Sequence, residues 1–164
     1  MNKQTLNIFI ILFFIGGCNS KKINYSIYEN KDKIFIKVIE NNVMSPVDYI
    51  YIIDNNNIIV KKGLYIGIGR IKNEKKIFKR KIGQNELNEI IDVVKERIIY
   101  QLDSVYIKHV IDGFEWYLEI EYNNYKTKIL IENKKVKNVE TLFNKINQLL
   151  PNKIPKISVG MMHD

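Results

Sequence analysis

The sequence predicts an α+β fold: an antiparallel β-sheet, made of a meander and a C-terminal hairpin, with two helices packed on one face. Two hydrophobic periods support this fold. Apolar residues alternate at every second position through much of 33–82 and 114–131, which is typical of strands. In 87–98 and 139–150 they recur every three or four residues, which is typical of helices that bury one side.

The first half predicts a meander of short strands. Residues 33–40 alternate, and residues 49–53 and 58–62 flank the polar run from Asp54 to Asn57, which predicts a hairpin turn. Two more strands are predicted over 64–68, where glycines interrupt the apolar residues, and over 77–82.

Two helices are predicted, one in each half. The first covers 84–101, with Gly83 as its N-cap and Glu86 as its third residue. The second covers 139–150, and it begins after Asn138 as N-cap and ends at Pro151. Residues 152–164 show no periodicity, so we expect a loosely held tail.

Residues 114–131 predict a β-hairpin with a defined register. Asn123 and Asn124 suit a two-residue turn, because asparagine tolerates positive φ. A one-residue slip would separate every favourable cross-strand pair. The pairs that this turn predicts are Tyr122 with Tyr125, Glu121 with Lys126, Glu119 with Lys128, Leu118 with Ile129, and Trp116 with Ile131.

The first seventeen residues have the features of a secretory signal peptide. Lys3 supplies the basic start, residues 6–15 are mostly apolar, and the small residues Gly16 and Gly17 precede Cys18. The apolar run is shorter than the roughly 20 residues that span a bilayer as a helix. We therefore expect residues 1–17 to be removed by cleavage between Gly17 and Cys18.

The tetrad from Ile15 to Cys18 resembles the lipobox of bacterial lipoproteins. In that family the cysteine thiol receives a diacylglycerol, cleavage occurs just before it, and the freed amine is acylated. The resemblance implies that Cys18 is the lipidated first residue of the mature protein, held on a membrane by several acyl chains. The alternative is a free cysteine after an ordinary signal, or a noncleaved anchor.

The expected organisation is a lipidated tether over 18–31, a single domain over 32–151 and the tail over 152–164. Cys18 is the only cysteine, so no disulfide is available to the domain. In Gram-negative lipoproteins an aspartate after the cysteine signals retention at the inner membrane. Asn19 stands there instead, so the resemblance implies the outer membrane, facing the periplasm.

The stretch from Asp112 to Trp116, followed by the hairpin and a helix ending in Leu-Leu-Pro, resembles a group of uncharacterised small envelope lipoproteins of Gram-negative bacteria. That group implies no activity. The mature chain holds 25 Lys and Arg against 18 Asp and Glu. We interpret these lysines as scattered and paired with acids, which together with the export signal argues against a nucleic-acid partner.

Few residues suggest chemistry. His109 and Asp112 could form an acid–base pair or two metal ligands, but no third ligand accompanies them. We expect a strand histidine beside an Asp-Gly turn, no metal, no cofactor and no enzyme. Four tyrosines could instead line a glycan or peptide surface, although aromatics also suit strands: Tyr49, Tyr51, Tyr65 and Tyr117.

These observations favour a noncatalytic, membrane-anchored lipoprotein of the cell envelope. It would bind a protein or cell-wall partner through the sheet face opposite the helices. The alternative is a periplasmic immunity or inhibitor lipoprotein that neutralises a toxin or hydrolase.

Overall fold

The computed structural model describes residues 32–98, 102–108 and 113–159, and Asp32–Asp164 is a compact unit by its internal contacts. The described part is an α+β fold with seven strands and two helices. The strands are β1 (Ile34–Asn42), β2 (Asp48–Asp54), β3 (Asn57–Gly67), β4 (Arg70–Lys81), β5 (Val105–Ile107), β6 (Phe114–Tyr122) and β7 (Tyr125–Glu132). The helices are α1 (Gln84–Val93) and α2 (Lys137–Gln148).

The seven strands form one sheet in the order β4-β3-β2-β1-β6-β7-β5. Its pairs are antiparallel except for β5 with β7, which run parallel. The prediction of an antiparallel sheet was therefore wrong at this edge. Strand β5 has only three residues, too few for an alternating pattern to reveal it.

Strands β3 and β4 form one long hairpin rather than the separate short strands that the sequence predicts. Strand β3 has eleven residues and β4 has twelve. The ladder between them shifts register three times, between residues 60 and 61, 62 and 64, and 65 and 67. Such bulges bend a hairpin. The turn needs left-handed backbone, which Gly67 (φ 132°) and Gly69 (φ 71°) supply.

The β6–β7 hairpin has the predicted register, and all five predicted residue pairs are confirmed. Asn123 adopts a positive φ of 51° in the turn, as expected. Its side-chain Oδ1 accepts a hydrogen bond of 3.0 Å from the backbone N–H of Lys33, so the turn also fixes the start of β1.

Both helices begin close to their predicted starts. Gly83 is the N-cap of α1, and Glu86 Oε2 accepts a 2.8 Å hydrogen bond from its N–H. A π-helical turn, Val94–Ile98, follows α1, and the predicted end at residue 101 lies outside the described residues. Helix α2 starts at Lys137 after Val136, so Asn138 is not its N-cap; it ends before Pro151.

The two sheet faces differ in what they bury. We call the face that carries Ile36, Val38, Leu118 and Trp116 the core face, because these residues belong to the main hydrophobic cluster. The same cluster contains the apolar residues of both helices: Leu87, Ile90, Ile91, Val93, Val139, Leu142, Phe143 and Ile146. The second face carries the alternate residues of the same strands.

The segment after α2, expected to be a loose tail, is packed as far as it is described. Ile154 and Ile157 are buried in the main cluster. Asn147 makes two hydrogen bonds to the backbone of Ile157. Its Nδ2 donates to the Ile157 carbonyl at 2.9 Å, and its Oδ1 accepts from the Ile157 N–H at 2.8 Å. Contacts of this kind leave no periodic pattern in a sequence.

Candidate functional site

The predicted site residues fall into two groups. Gly17, Cys18, His109 and Asp112 lie outside the described residues. The four tyrosines do not form one surface. Tyr49 and Tyr51 lie on the core face, opposite Glu40 and Val38, with ring centroids 6.5 Å apart. Two tyrosines lie on the second face or against it: Tyr117 and Tyr65.

The outer end of the β3–β4 hairpin, residues 63–72, folds back across the second face; we call it the hairpin tip. A Cβ built on Gly69 would lie 3.0 Å from the ring of Tyr117, which belongs to β6. Because β2 and β1 separate β3 from β6, the tip must cross both of them. Two residues of the second face, Ile39 and Ile50, are consequently buried although they lie outside the main cluster.

Tyr65 fastens this tip to a row of acids. Its backbone N–H donates to Asp48 Oδ2 at 2.7 Å, and its hydroxyl donates to Glu115 Oε1. Glu115 stands directly opposite Glu132 in the ladder. Burial raises the pKa of Glu115, the Tyr65 hydroxyl lowers it, and the charge of Glu132 raises it again. Like charges in this position oppose each other, so Tyr65 offsets part of the repulsion.

Two acids of this row, Asp48 and Glu115, bind the hairpin tip. Within the described residues no three His, Cys, Asp or Glu side chains converge as metal ligands. Asp48 Oδ1 is buried and has no hydrogen-bond partner, while Oδ2 is used by Tyr65. The row therefore holds the hairpin tip in place.

Glu40 is a buried carboxylate on the core face, at the point where the apolar alternation of β1 is interrupted. Trp116 Nε1 donates to its Oε2 at 3.2 Å, and Ser158 donates from its backbone N–H at 2.7 Å and from its hydroxyl to Oε1 at 3.0 Å. Burial raises the pKa of Glu40, and the three donors act against this rise. Both oxygens are used by the chain, so Glu40 anchors the C-terminal segment.

A cleft of about 200 Å³ opens beside Glu40. Tyr49 and Phe114 supply its aromatic side, and Asn42, Ser45, Lys156 and Ser158 supply polar groups. Its size is below that of most ligand pockets, which start at about 300 Å³. Sequence reasoning missed Glu40, although a glutamate at an apolar position of an alternating strand is itself a signal of a buried polar contact.

The half of the second face that the hairpin tip does not reach is more open. Phe35, Ile52 and Ile59 are half-buried there, and Lys37 lies among them. A shallow cleft of about 170 Å³ adjoins Phe35 and is lined by Lys33, Ile34, Asp54, Asn55, Glu121 and Asn123. This open half of the second face combines apolar side chains with charges of both signs.

No protein family, curated protein or solved structure matches the chain. In the described ranges, neither helix has the length and apolar character needed to cross a lipid bilayer.

Proposed function

We propose that this chain is an envelope lipoprotein, anchored to a membrane through a lipid on Cys18, whose folded unit binds a partner without catalysis. The anchor rests on the tetrad from Ile15 to Cys18 and on the short apolar run before it. The outer membrane, facing the periplasm, is the proposed location, because Asn19 and not an aspartate follows the cysteine.

The proposed architecture places both helices on the core face. Residues of α1, α2 and the core face share a single hydrophobic cluster, and the rings of Trp116 and Phe143 lie 6.5 Å apart. With the helices there, the open half of the second face is left for a partner.

The observation that carries the binding proposal is the open half of the second face. Phe35, Ile52 and Ile59 keep partly exposed apolar surface, whereas Ile36, Ile53 and Ile58, their neighbours on the core face, are almost completely buried. Protein interfaces combine such an apolar centre with a polar rim, and here the rim includes Lys33 and Glu121. An envelope protein or a glycan fits this surface.

The contacts of Glu40 and Glu115, two carboxylates removed from solvent, favour binding over catalysis. Glu40 uses both oxygens to hold Ser158 and Trp116, and Glu115 accepts the hydroxyl of Tyr65. General acid–base catalysis needs a carboxyl free to reach a substrate. These two carboxyls instead support the fold.

The anchor is tested by labelling cells with a radioactive fatty acid. We expect label in the unchanged protein and in the control Ser20→Ala, and none in Cys18→Ala. Equal label in Cys18→Ala and the unchanged protein would end the lipoprotein proposal.

The binding surface is tested by complementing a deletion strain. We expect Ile52→Lys/Ile59→Lys to lose function while remaining folded and lipidated, and Asn144→Lys, a control on exposed α2 surface, to retain it. A photocrosslinker at residue 52 should capture the partner that a crosslinker at 144 does not; a captured toxin or hydrolase would identify an immunity protein. A folded His109→Ala/Asp112→Ala variant that loses all function would contradict the noncatalytic proposal.

A further inference from the structure

The net positive charge of the chain is concentrated in a single hairpin. Residues 57–81, which contain β3 and β4, hold nine Lys and Arg against one acid, Glu74. The other residues of the sequence hold seventeen basic and seventeen acidic side chains, so they are neutral as a whole. The interpretation that the lysines are scattered and paired with acids is wrong for this hairpin.

Most of these basic side chains have no ion-pair partner. Glu74 pairs with Lys61 at 2.7 Å, and Arg80 pairs with Glu86 of α1 at 2.8 Å. The other seven are exposed and make no ion pair with another described residue: Lys62, Arg70, Lys72, Lys75, Lys76, Lys79 and Lys81.

The ladder brings these like charges together. Lys62 stands directly opposite Lys75, and Lys61 stands directly opposite Lys76. Opposed like charges destabilise a strand pair. The hairpin thus carries an electrostatic cost that an external anion would relieve.

Aliphatic side chains project from the same hairpin. Leu64, Ile66 and Ile68 alternate with Tyr65, Gly67 and Gly69, and the side of the hairpin that carries Tyr65 and Gly69 faces the sheet. The three aliphatic residues therefore point away from the sheet, and they are 49 %, 42 % and 60 % exposed. Leu64 pairs with Lys72, so apolar and basic groups share this outer surface.

From this surface we propose that the outer side of the hairpin tip docks on an anionic lipid bilayer. Lysines beside an anionic membrane are attracted to its head groups, and aliphatic side chains next to them enter the acyl boundary. The composition favours lipid over protein: protein interfaces are enriched in aromatic residues and Arg and depleted in Lys. Here six of the seven basic side chains that make no ion pair with a described residue are lysines, and the outward apolar groups are aliphatic.

A nucleic acid fits this surface less well. Proteins that bind single strands stack bases on exposed aromatic rings, and the outward positions of the tip hold Leu64, Ile66 and Ile68 instead. The inference goes beyond the proposed function, because it concerns direct contact between lipid and the folded unit and does not depend on the lipid at Cys18.

The test uses Asp32–Asp164, the compact unit without signal peptide or Cys18, and measures flotation with vesicles. One set contains phosphatidylglycerol mixed with phosphatidylcholine, and the other contains phosphatidylcholine alone. We expect binding to the anionic vesicles only, and weaker binding as added salt screens the charges. Failure of the unchanged unit to bind anionic vesicles overturns the inference, whatever the labelling of Cys18 shows.

Two sets of variants assign the binding to the hairpin tip and to Lys75 beside it. Lys72→Gln/Lys75→Gln should lower the vesicle partition coefficient about 25-fold, at roughly five-fold for each lysine near an anionic surface. The control Lys137→Gln/Lys153→Gln removes the same charge outside the β3–β4 hairpin and should change the partition coefficient far less. Leu64→Ser/Ile66→Ser/Ile68→Ser should lower the partition coefficient at least about ten-fold. The control Val105→Ser/Ile107→Ser on β5 changes residues that are likewise exposed, at 52 % and 40 %, and should not lower it.

Circular dichroism should show that each variant is folded. A reporter variant gives an independent measurement: the tryptophan emission of Ile66→Trp should shift to the blue with anionic vesicles, and that of Val105→Trp should not. Equal shifts at both positions, or equal loss of flotation in tip and control variants, would contradict docking by the tip.

Discussion

In the β6–β7 hairpin, Glu119 and Glu121 face lysines across the ladder, whereas in the β3–β4 hairpin two pairs of lysines face each other. Lys126 pairs with Glu121 and with Glu119, while Lys62 faces Lys75 and makes no ion pair within the part of the chain that the structure describes. Strand β6 lies inside the sheet, between β1 and β7, whereas β4 lies at its edge. The first hairpin gains from two attractive cross-strand pairs, and the second keeps repulsive pairs, which we interpret as part of the proposed lipid-docking surface.

The hairpins also differ in regularity. The β6–β7 ladder runs from Tyr122–Tyr125 to Glu115–Glu132 without a shift, and the β3–β4 ladder shifts three times. The bulges carry the hairpin tip over the second face, where Tyr65 holds it. Irregular backbone thus places the apolar and basic surface on the outer side of the hairpin, away from the core.

The largest effect is expected where β6 meets the core. Trp116 is fully buried and contacts Phe143, so Trp116→Ala should lower the free energy of unfolding by about 3–5 kcal/mol. Leu64→Ala, on the outer side of the tip, should change it by less than about 0.5 kcal/mol. Urea denaturation of Asp32–Asp164 measures the unfolding free energy of both variants. Comparable losses would contradict the account that β6 supports the core and the outer side of the hairpin tip does not.

Glu40→Ala should have the next largest effect. It leaves the indole N–H of Trp116 and two donors of Ser158 without their acceptor. Unpaired buried groups cost about 1–3 kcal/mol, so the unfolding free energy should fall by that amount. Proteolysis should then cut the segment after Pro151 sooner than in the unchanged protein. A C-terminal segment that stays equally protected would show that Glu40 does not hold it.

Gly69→Ala tests how the hairpin tip is fixed. The residue has a φ of 71°, and its Cβ would lie 3.0 Å from the Tyr117 ring. A left-handed alanine costs about 1–2 kcal/mol, so we expect a loss of that size and faster hydrogen exchange at Ile39 and Ile50. Unchanged exchange at both isoleucines would contradict the account of the tip as their cover.

The pH dependence of stability separates two carboxyls. Burial raises the pKa of Glu40 above 4.5, so the folded protein binds its proton more tightly, and stability should fall as pH rises from 4.5 through the raised pKa. Arg80 and the Gly83 N–H lower the pKa of Glu86 to about 2, so its contribution is present above pH 4.5 and lost as pH falls toward 2.

Two variants check these directions by urea denaturation at several pH values. Glu40→Gln should reduce the loss of stability above pH 4.5, and Glu86→Gln should reduce the loss below it. Burial also raises the pKa of Glu115, so part of the loss of stability above pH 4.5 should remain in Glu40→Gln. If stability falls as much above pH 4.5 in Glu40→Gln as in the unchanged protein, then burial does not destabilise the charged form of Glu40.

The sequence predicted the β6–β7 register because its determinants are local: the Asn123 turn and charges that pair across it. It missed the β3–β4 hairpin because Gly63 interrupts the alternation between 58–62 and 64–68, although Gly63 lies within one bulged strand. It missed the role of Glu40 because Trp116 and Ser158 are 76 and 118 residues away. The basic surface was missed because it depends on the β3–β4 pairing, which places the lysines of β4 beside Lys62.

Charge reversal on each hairpin tests the central claim most directly. Lys75→Glu would face Lys62, so it should raise the unfolding free energy by about 0.2–1 kcal/mol while lowering binding to anionic vesicles. Lys126→Glu would face Glu121, so it should lower the unfolding free energy by a similar amount and leave vesicle binding largely unchanged. A Lys75→Glu protein that is less stable, or that binds anionic vesicles as well as the unchanged protein, would contradict the account.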